Sequence, residues 1–487
     1  MSTSAFGKSV AVTLALAMSV AMYGCSTANE TTETTTAAAS ASQTTETKYL
    51  TKDDITVNET KENSADGEHA ITADGETASY SDLAVKKTGN SSGDEADFYG
   101  ENAAVFATNK ATLDLKGILV ETAGEHANAV FSYGEGTTVN VSDSVIETTG
   151  NCSGGIMTTG GATMNAENLT IHTTGNSSAA IRSDRGGGTV TVSKGSYTTD
   201  GTGSPVIYST ADITVSDAKM ESTASQGVVV EGKNSVTLNN VDLTASNTTK
   251  NSDKSDYYQA VMIYQSMSGD ADEGTSSFAM NGGKLTNQNG DIFFINNTTT
   301  TIDLSKATIV NNDENGIFLR AAAAGWGSEG SNGGQVTLNA SAQTIDGDMV
   351  VDKVSTLNLL MTDRSSFTGA IDPDGAAGDV YVELKNGSTW KLTGDSYVTS
   401  LTCDADSIDL NGHKLYVDGK EYTAGTASTG EKVTAKATTS SKGKGGSGNE
   451  HGTPPEKPGE GSGSGSGHAK GSRPSKPGSK SSDSSAA

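Results

Sequence analysis

The chain has 487 residues, of which 33% are hydrophobic and 5% aromatic, too few to fill several thick globular cores but enough for a thin core repeated many times. Disorder throughout is excluded, because Val, Ile, Leu and Thr recur at regular intervals between residues 80 and 425. A formal net charge of -26 argues against nucleic acid as a partner, since phosphate neutralisation needs the opposite sign; an acidic surface keeps an exposed protein soluble and could gather cations.

In chain order, Lys8 precedes an apolar run over residues 10–22 and small residues near Gly24, the pattern of an export signal over residues 1–24. That run is short for a membrane span. The junction of Gly24 and Cys25 resembles the lipobox of bacterial lipoproteins, with Met22 and Tyr23 in place of the usual Leu and small residue. The resemblance implies that Cys25 carries a lipid and anchors the protein to a membrane at the bacterial cell surface; ordinary signal cleavage is the alternative. Residues 25–47, rich in Thr, Ala and Ser, are expected to form a tether. Residues 48–80 are expected to cap the first of the stacked strands, since an open strand edge invites aggregation.

From Thr112 the chain repeats itself. TLDLKGILVETAG is followed by TVNVSDSVIETTG from Thr138, TMNAENLTIHTTG from Thr163 and TVTVSKGSYTTDG from Thr189, closed by Gly124, Gly150, Gly175 and Gly201. Looser copies begin at Asp212, Ser235, Ser277, Thr301, Gln335 and Thr356. Each copy holds three short apolar runs, as in Val139/Val141, Val145/Ile146 and Ile156/Met157. Alternation in the first run places one face inward and Thr, Asn or Asp outward. Three strands and three turns in about 23 to 26 residues is the period of a parallel β-helix, a solenoid here of roughly 10 to 13 coils over residues 81–430. An antiparallel sandwich would show hairpins and strands of independent sequence, and a leucine-rich horseshoe an L-x-x-L-x-L frame; neither is present.

These coils resemble the right-handed β-helices of the pectin-lyase-like superfamily. Residues 387–401, GSTWKLTGDSYVTSL, are similar to the end of autotransporter passenger domains, which carry a W-x-x-T-G-x-S-x-V stretch. The resemblance implies a surface-displayed, adhesin-like solenoid. It departs from that family in having no barrel strands after the motif. Residues 408–423 hold Asn-Gly and Asp-Gly turns between apolar runs and are expected as closing hairpins. Residues 431–487 turn to Gly, Ser, Lys and Pro and are expected to be a disordered tail. Cys152 and Cys403 lie about nine coils apart, on the order of 40 Å, beyond disulfide reach.

Function is sought where loops lengthen the period. Residues 89–100 and 250–259 interrupt equivalent corners and end in Phe98-Tyr99 and Tyr257-Tyr258; a third insertion over residues 321–334 carries Trp326. Aromatic faces flanked by carboxylates and amides suit sugars, so these rings with Asp94, Asp97, Asp256 and Asn251 form the candidate ligand set. The competing reading is that each ring packs its loop onto the wall. Asp270, Asp272 and Glu273 are the candidate metal residues, with Ca²⁺ the ion they could hold, though they lack the spaced ligands of an EF-hand. The six histidines show no H-x-H or H-E-x-x-H spacing, so zinc is not expected. Gly89, Ser91 and Gly93 fit G-x-S-x-G by chance, with no helix expected to follow.

Pectin-lyase-like helices include polysaccharide lyases and glycoside hydrolases, which place acidic and basic residues on one sheet. Arg182 and Arg185 are the matching basic residues, but neighbouring coils offer Thr158, Thr159, Ser209, Thr210 and Glu231 there, without paired carboxylates. The expectation is therefore a monomeric, lipid-anchored surface rod without a cofactor that binds an extracellular glycan or surface protein. A polysaccharide-active enzyme and an envelope spacer are the alternatives.

Overall fold

One coil explains the others. In Thr138–Ser142 the side chains alternate, so Val139 and Val141 face the interior while Thr138, Asn140 and Ser142 face out. Asp143 turns the chain with φ 49°, and Gly117, Asn168, Asp217 and Asn240 occupy the same left-handed corner in other coils. Asn, Asp and Gly adopt that conformation most readily. Their side chains also stack along the axis: Asn168 Nδ2 donates to Asp143 Oδ1 at 2.9 Å and Asn240 Nδ2 to Asp217 Oδ1 at 2.8 Å. Val145–Thr148 comes next, and then a corner that needs glycine for space rather than for φ. A Cβ on Gly150 would lie 1.9 Å from the carbonyl oxygen of Gly124 one coil away. Ser153 Oγ donates 2.8 Å to that same oxygen and accepts the Ala127 amide at 2.9 Å, so the corner's polar groups are satisfied between coils. Ile156–Thr159 completes the turn.

The computed structural model describes residues 48–440 apart from 251–253 and 376–377. Among them, strands stack in parallel with the predicted register: Ile156 pairs with Val130 on one side and Ile181 on the other. The first two runs of each coil merge into a 21-stranded sheet, because in Ala162–Thr173 and Gly188–Thr199 they pass the corner as single strands. The third runs form an 11-stranded sheet, and smaller sheets of four and three strands continue the stack at the C-terminal end. The protein is a right-handed parallel β-helix. Its interior is a column of buried aliphatic and aromatic residues; near the C-terminal end Trp390 is fully buried, stacks on Phe367 at 5.4 Å and donates from Nε1 to Gly369 O at 2.9 Å. Burying each Val, Leu or Ile contributes roughly 1.5–3 kcal/mol, and every coil adds several.

Two boundaries differ from the sequence expectation. The segment expected to be a cap over residues 48–80 already holds coil strands, since Glu59–Asn63 pairs in parallel with Leu83–Lys87. Residues before it lie on the outer wall, where Lys52 bridges Glu121 at 2.7 Å and Glu147 at 2.6 Å. Lys87 takes the inward position that Thr122 holds one coil later and donates from Nζ to Ala65 O at 2.6 Å. At the other end Leu415–Val417 and Lys420–Glu421 form the antiparallel closing pair. Residues 431–440, assigned by composition to a disordered tail, run back along the wall. Their amides find acceptors in outward side chains: Val433 N to Asn358 Oδ1 at 3.0 Å, Lys436 N to Gln335 Oε1 at 2.8 Å and Thr439 N to Asn297 Oδ1 at 3.1 Å. The export signal, Cys25 with its tether, and residues 441–487 lie outside the described residues.

Candidate functional site

One ladder of side chains runs along the outer face of the 11-stranded sheet, and its chemistry changes along the axis. Phe106, Phe131 and Met157 stand one above another, then Arg182 and Tyr208, then Val229, Met262 and Phe294. Outward apolar residues need a cover. The first group packs with Ala103 and Tyr133, and the loop carrying the short helix Asp94–Tyr99 is pinned over it by Thr159 Oγ1, which donates to Phe98 O at 2.7 Å. The second group packs under Trp326, Tyr257 and Tyr264. Between the two covers the ladder is open, and a cleft of about 340 Å³ lies over Arg182 and Tyr208, walled by Asp97, Phe98, Asp184 and Asp270.

The cleft is strongly polar. Arg182 Nη2 donates to Asp184 Oδ2 at 2.9 Å and to Asp97 Oδ2 at 3.2 Å, while its Nη1 is buried with no hydrogen-bond partner. Asp97 Oδ1 in turn lies 3.2 Å from His126 Nδ1 and accepts from Asn128 Nδ2 at 3.4 Å. Arg185 covers the Phe98 ring at 3.9 Å and reaches Asp270 Oδ1 at 2.7 Å, closing the far wall. Beneath, Tyr208 donates to Glu231 Oε2 at 2.5 Å and Tyr264 to the same oxygen at 3.0 Å.

The two carboxyls that share Arg182 titrate apart. Burial pushes Asp184 up to about 6, the guanidinium offsetting only part of the desolvation. Burial also raises Asp97, but Arg182 and His126 outweigh it, and Asp97 is held below the usual carboxylate range. The Asp97 carboxylate raises His126, against partial burial, and burial lifts the phenols of Tyr208 and Tyr264 well above their ordinary value. Near neutral pH the cleft thus presents an ionised carboxylate, a carboxyl that titrates close to physiological pH and a guanidinium within one hydrogen-bonded cluster.

Of the ligand residues singled out in the sequence, Asp97 and Phe98 line this cleft. The others are elsewhere. Tyr99 meets Tyr133 edge-on at 5.7 Å, Tyr257 lies under the Arg320 guanidinium at 4.0 Å, and Trp326 is 7% exposed against Tyr264. Tyr258 is half-buried, Asp256 is an exposed partner of Lys250 at 3.7 Å, Asp94 begins the short helix, and Asn251 lies outside the described residues. Tyr99, Tyr257 and Trp326 pack against the wall, and of the two aromatic pairs only Phe98 reaches the cleft. The three acidic residues considered for Ca²⁺ do not converge either: Asp270 holds Arg185, and Asp272 holds Lys233 at 2.8 Å.

Sequence spacing sets Arg182 beside threonines, but the register places it opposite Met157 and Tyr208, and the missing paired carboxylates exist as Asp97 and Asp184. Asp97 comes from 85 residues earlier, on a loop that folds over three coils. The one sequence signal was that loop's position before a third strand, on the side where Arg182 faces out. Compared with protein-family models, with curated proteins and with solved structures, the chain matches none.

Proposed function

We propose that this protein is a lipid-anchored, adhesin-like surface rod whose cleft over Arg182 binds a hydroxyl-rich ligand, most simply an extracellular glycan. The observation that carries the reading is the interruption of the covered apolar ladder by Arg182 and Tyr208 with Asp97, Asp184 and Asp270 around them. A ladder needed only for stability would stay apolar and covered, whereas desolvating the Asp97 and Asp184 carboxyls and the Arg182 guanidinium in one place disfavours folding unless something uses them. Carboxylates and guanidiniums in fixed positions are the donors and acceptors that vicinal hydroxyls require, and the acidic surface disfavours polyanions. The Gly24-Cys25 junction and the W-x-x-T-G-x-S-x-V resemblance support display on a cell surface.

Screening the chain on a glycan array, beside the variants Asp184→Asn and Arg185→Ala, tests this. Retention that both variants lose supports the cleft, while retention unchanged in both refutes it. The separated titration of Asp184 and Asp97 favours a second reading, polysaccharide hydrolysis with Asp184 as the acid. Cleavage of retained glycans, assayed on the same set and abolished in Asp184→Asn, would establish that reading instead.

A further inference from the structure

We propose that Asp97, His126 and Cys152 form a binding site for a thiophilic divalent transition metal, of which Zn²⁺ is the type, at the edge of the cleft. Their donor atoms all lie within 4.8 Å of one another, so closing them onto a metal at about 2.0–2.3 Å per ligand requires shifts on the order of 1 Å or less. The three come from separate parts of the chain. His126 and Cys152 occupy the same rung of one corner, two residues beyond Gly124 and Gly150, both in the left-handed conformation with φ 52° and 53°. Stacked coils therefore set them one above the other, a strand spacing apart. Asp97 arrives from the loop above.

Three features distinguish this cluster from an ordinary ion pair. His126 Nδ1 is buried and lies 3.2 Å from Asp97 Oδ1 without reaching hydrogen-bond geometry, so the pair is close but not joined as an ordinary hydrogen-bonded ion pair would be. Asp97 is oriented by two further donors: Arg182 Nη2 holds Oδ2 at 3.2 Å and Asn128 Nδ2 reaches Oδ1 at 3.4 Å. Outer-shell donors of that kind fix a carboxylate ligand. Finally, the rung's next members are Ser177, with φ 55°, and Gly203, so thiol and imidazole appear together only where Asp97 overhangs. The donor set selects the metal. One sulfur, one nitrogen and one oxygen suit Zn²⁺, Co²⁺ or Cd²⁺, whereas Ca²⁺ and Mg²⁺ take oxygen alone. Three protein ligands leave a fourth position for water or for a group of whatever occupies the cleft, which Asp97 also lines.

The site stands independently of the glycan reading, because its test requires no sugar. The full chain, reduced and freed of metal by chelation, is titrated with Co²⁺ and followed by absorption. The expected result is one equivalent that produces a thiolate-to-cobalt charge-transfer band with visible bands of tetrahedral intensity, displaced by Zn²⁺. Cys152→Ser should abolish the charge-transfer band and weaken binding at least about tenfold; it keeps the corner intact, since Ser177 already fills that rung one coil on. His126→Ala and Asp97→Asn should weaken binding while leaving circular dichroism unchanged. Absence of a charge-transfer band at millimolar Co²⁺ overturns the proposal. A band that persists in Cys152→Ser overturns it too, because the thiolate would then be Cys25 or Cys403. Binding by His451 or His468 in the tail would give no such band and would not count as support.

Discussion

Gly175→Ala is the sharpest test of how coils stack. The added Cβ would lie 1.8 Å from Gly150 O and 2.9 Å from Ser178 Oγ, and since carbon does not approach oxygen much closer than about 3 Å, the two coils must part there by about 1 Å. Of the hydrogen bonds that cross that gap, three lie nearest the point of contact: Ser178 Oγ to Gly150 O at 3.1 Å, Thr174 N to Thr148 O at 2.9 Å and Cys152 N to Asn176 O at 2.8 Å. At about 1 kcal/mol each when lost, the local destabilisation is about 3 kcal/mol. Backbone conformation adds little, because Gly175 is not among the positive-φ residues. A solenoid opens locally, so the assay is amide hydrogen exchange at residues 148–178, where protection should fall about a hundredfold while distant coils are unaffected. Gly134→Ala is the control: φ is +88° with nothing within 4 Å of the new Cβ, so only strain of about 1 kcal/mol is expected. Protection unchanged in Gly175→Ala, or a larger effect in Gly134→Ala, would refute steric stacking as the reason for the glycine ladder.

Asp372 Oδ2 is buried without a partner, Oδ1 accepts the Val351 amide at 2.7 Å, and burial pushes the carboxyl up to about 7. A raised folded pKa means stability that is fully present below about pH 4 and declines as pH rises towards 7, by up to about 4 kcal/mol; Asp372→Asn should therefore match the wild type at pH 4 and melt higher at pH 8, and a difference independent of pH would disprove the assignment. Arg182→Met should destabilise by about 3–5 kcal/mol at pH 7, because Asp97 and Asp184 keep their burial and lose their counter-charge. Repeating the melt at pH 4 should recover much of that loss as the carboxyls protonate, and no recovery would show that lost packing dominates.

The coil was legible because its causes are local and repeated. Alternating Val139 and Val141, the Asp143 corner and Gly150 each state one requirement, and every later copy states it again, so register followed from sequence alone. Composition misled where contacts are not local. Residues 431–440 carry no apolar pattern, and what orders them is a set of amide side chains, Asn358, Gln335 and Asn297, that the wall presents about 75 to 142 residues earlier in the chain. The first coil was missed for a related reason: Glu59–Asn63 contains no apolar residue, so no hydrophobic alternation marks it, and it is held by backbone pairing to Leu83–Lys87.

The candidate site was half legible, and the missing half reflects how a solenoid assembles polar groups. Repeats align positions that share a rung, which is why His126 and Cys152 could in principle be paired from the spacing of Gly124 and Gly150. An insertion has no rung. Asp97 belongs to the coil before His126, yet its side chain reaches Arg182, three coils along the outer ladder from its own third strand. Of the two readings open for the insertion aromatics, ligand face or cover, the contacts favour the cover, since Phe98 and Tyr257 offer a face to Arg185 and Arg320. The same geometry turns this into a positive criterion. On a β-helix wall an aromatic in an insertion is a cover wherever the ladder beneath is apolar, and the place to look for ligand chemistry is the rung where two covers fail to meet; along this ladder Arg182 and Tyr208 are that rung.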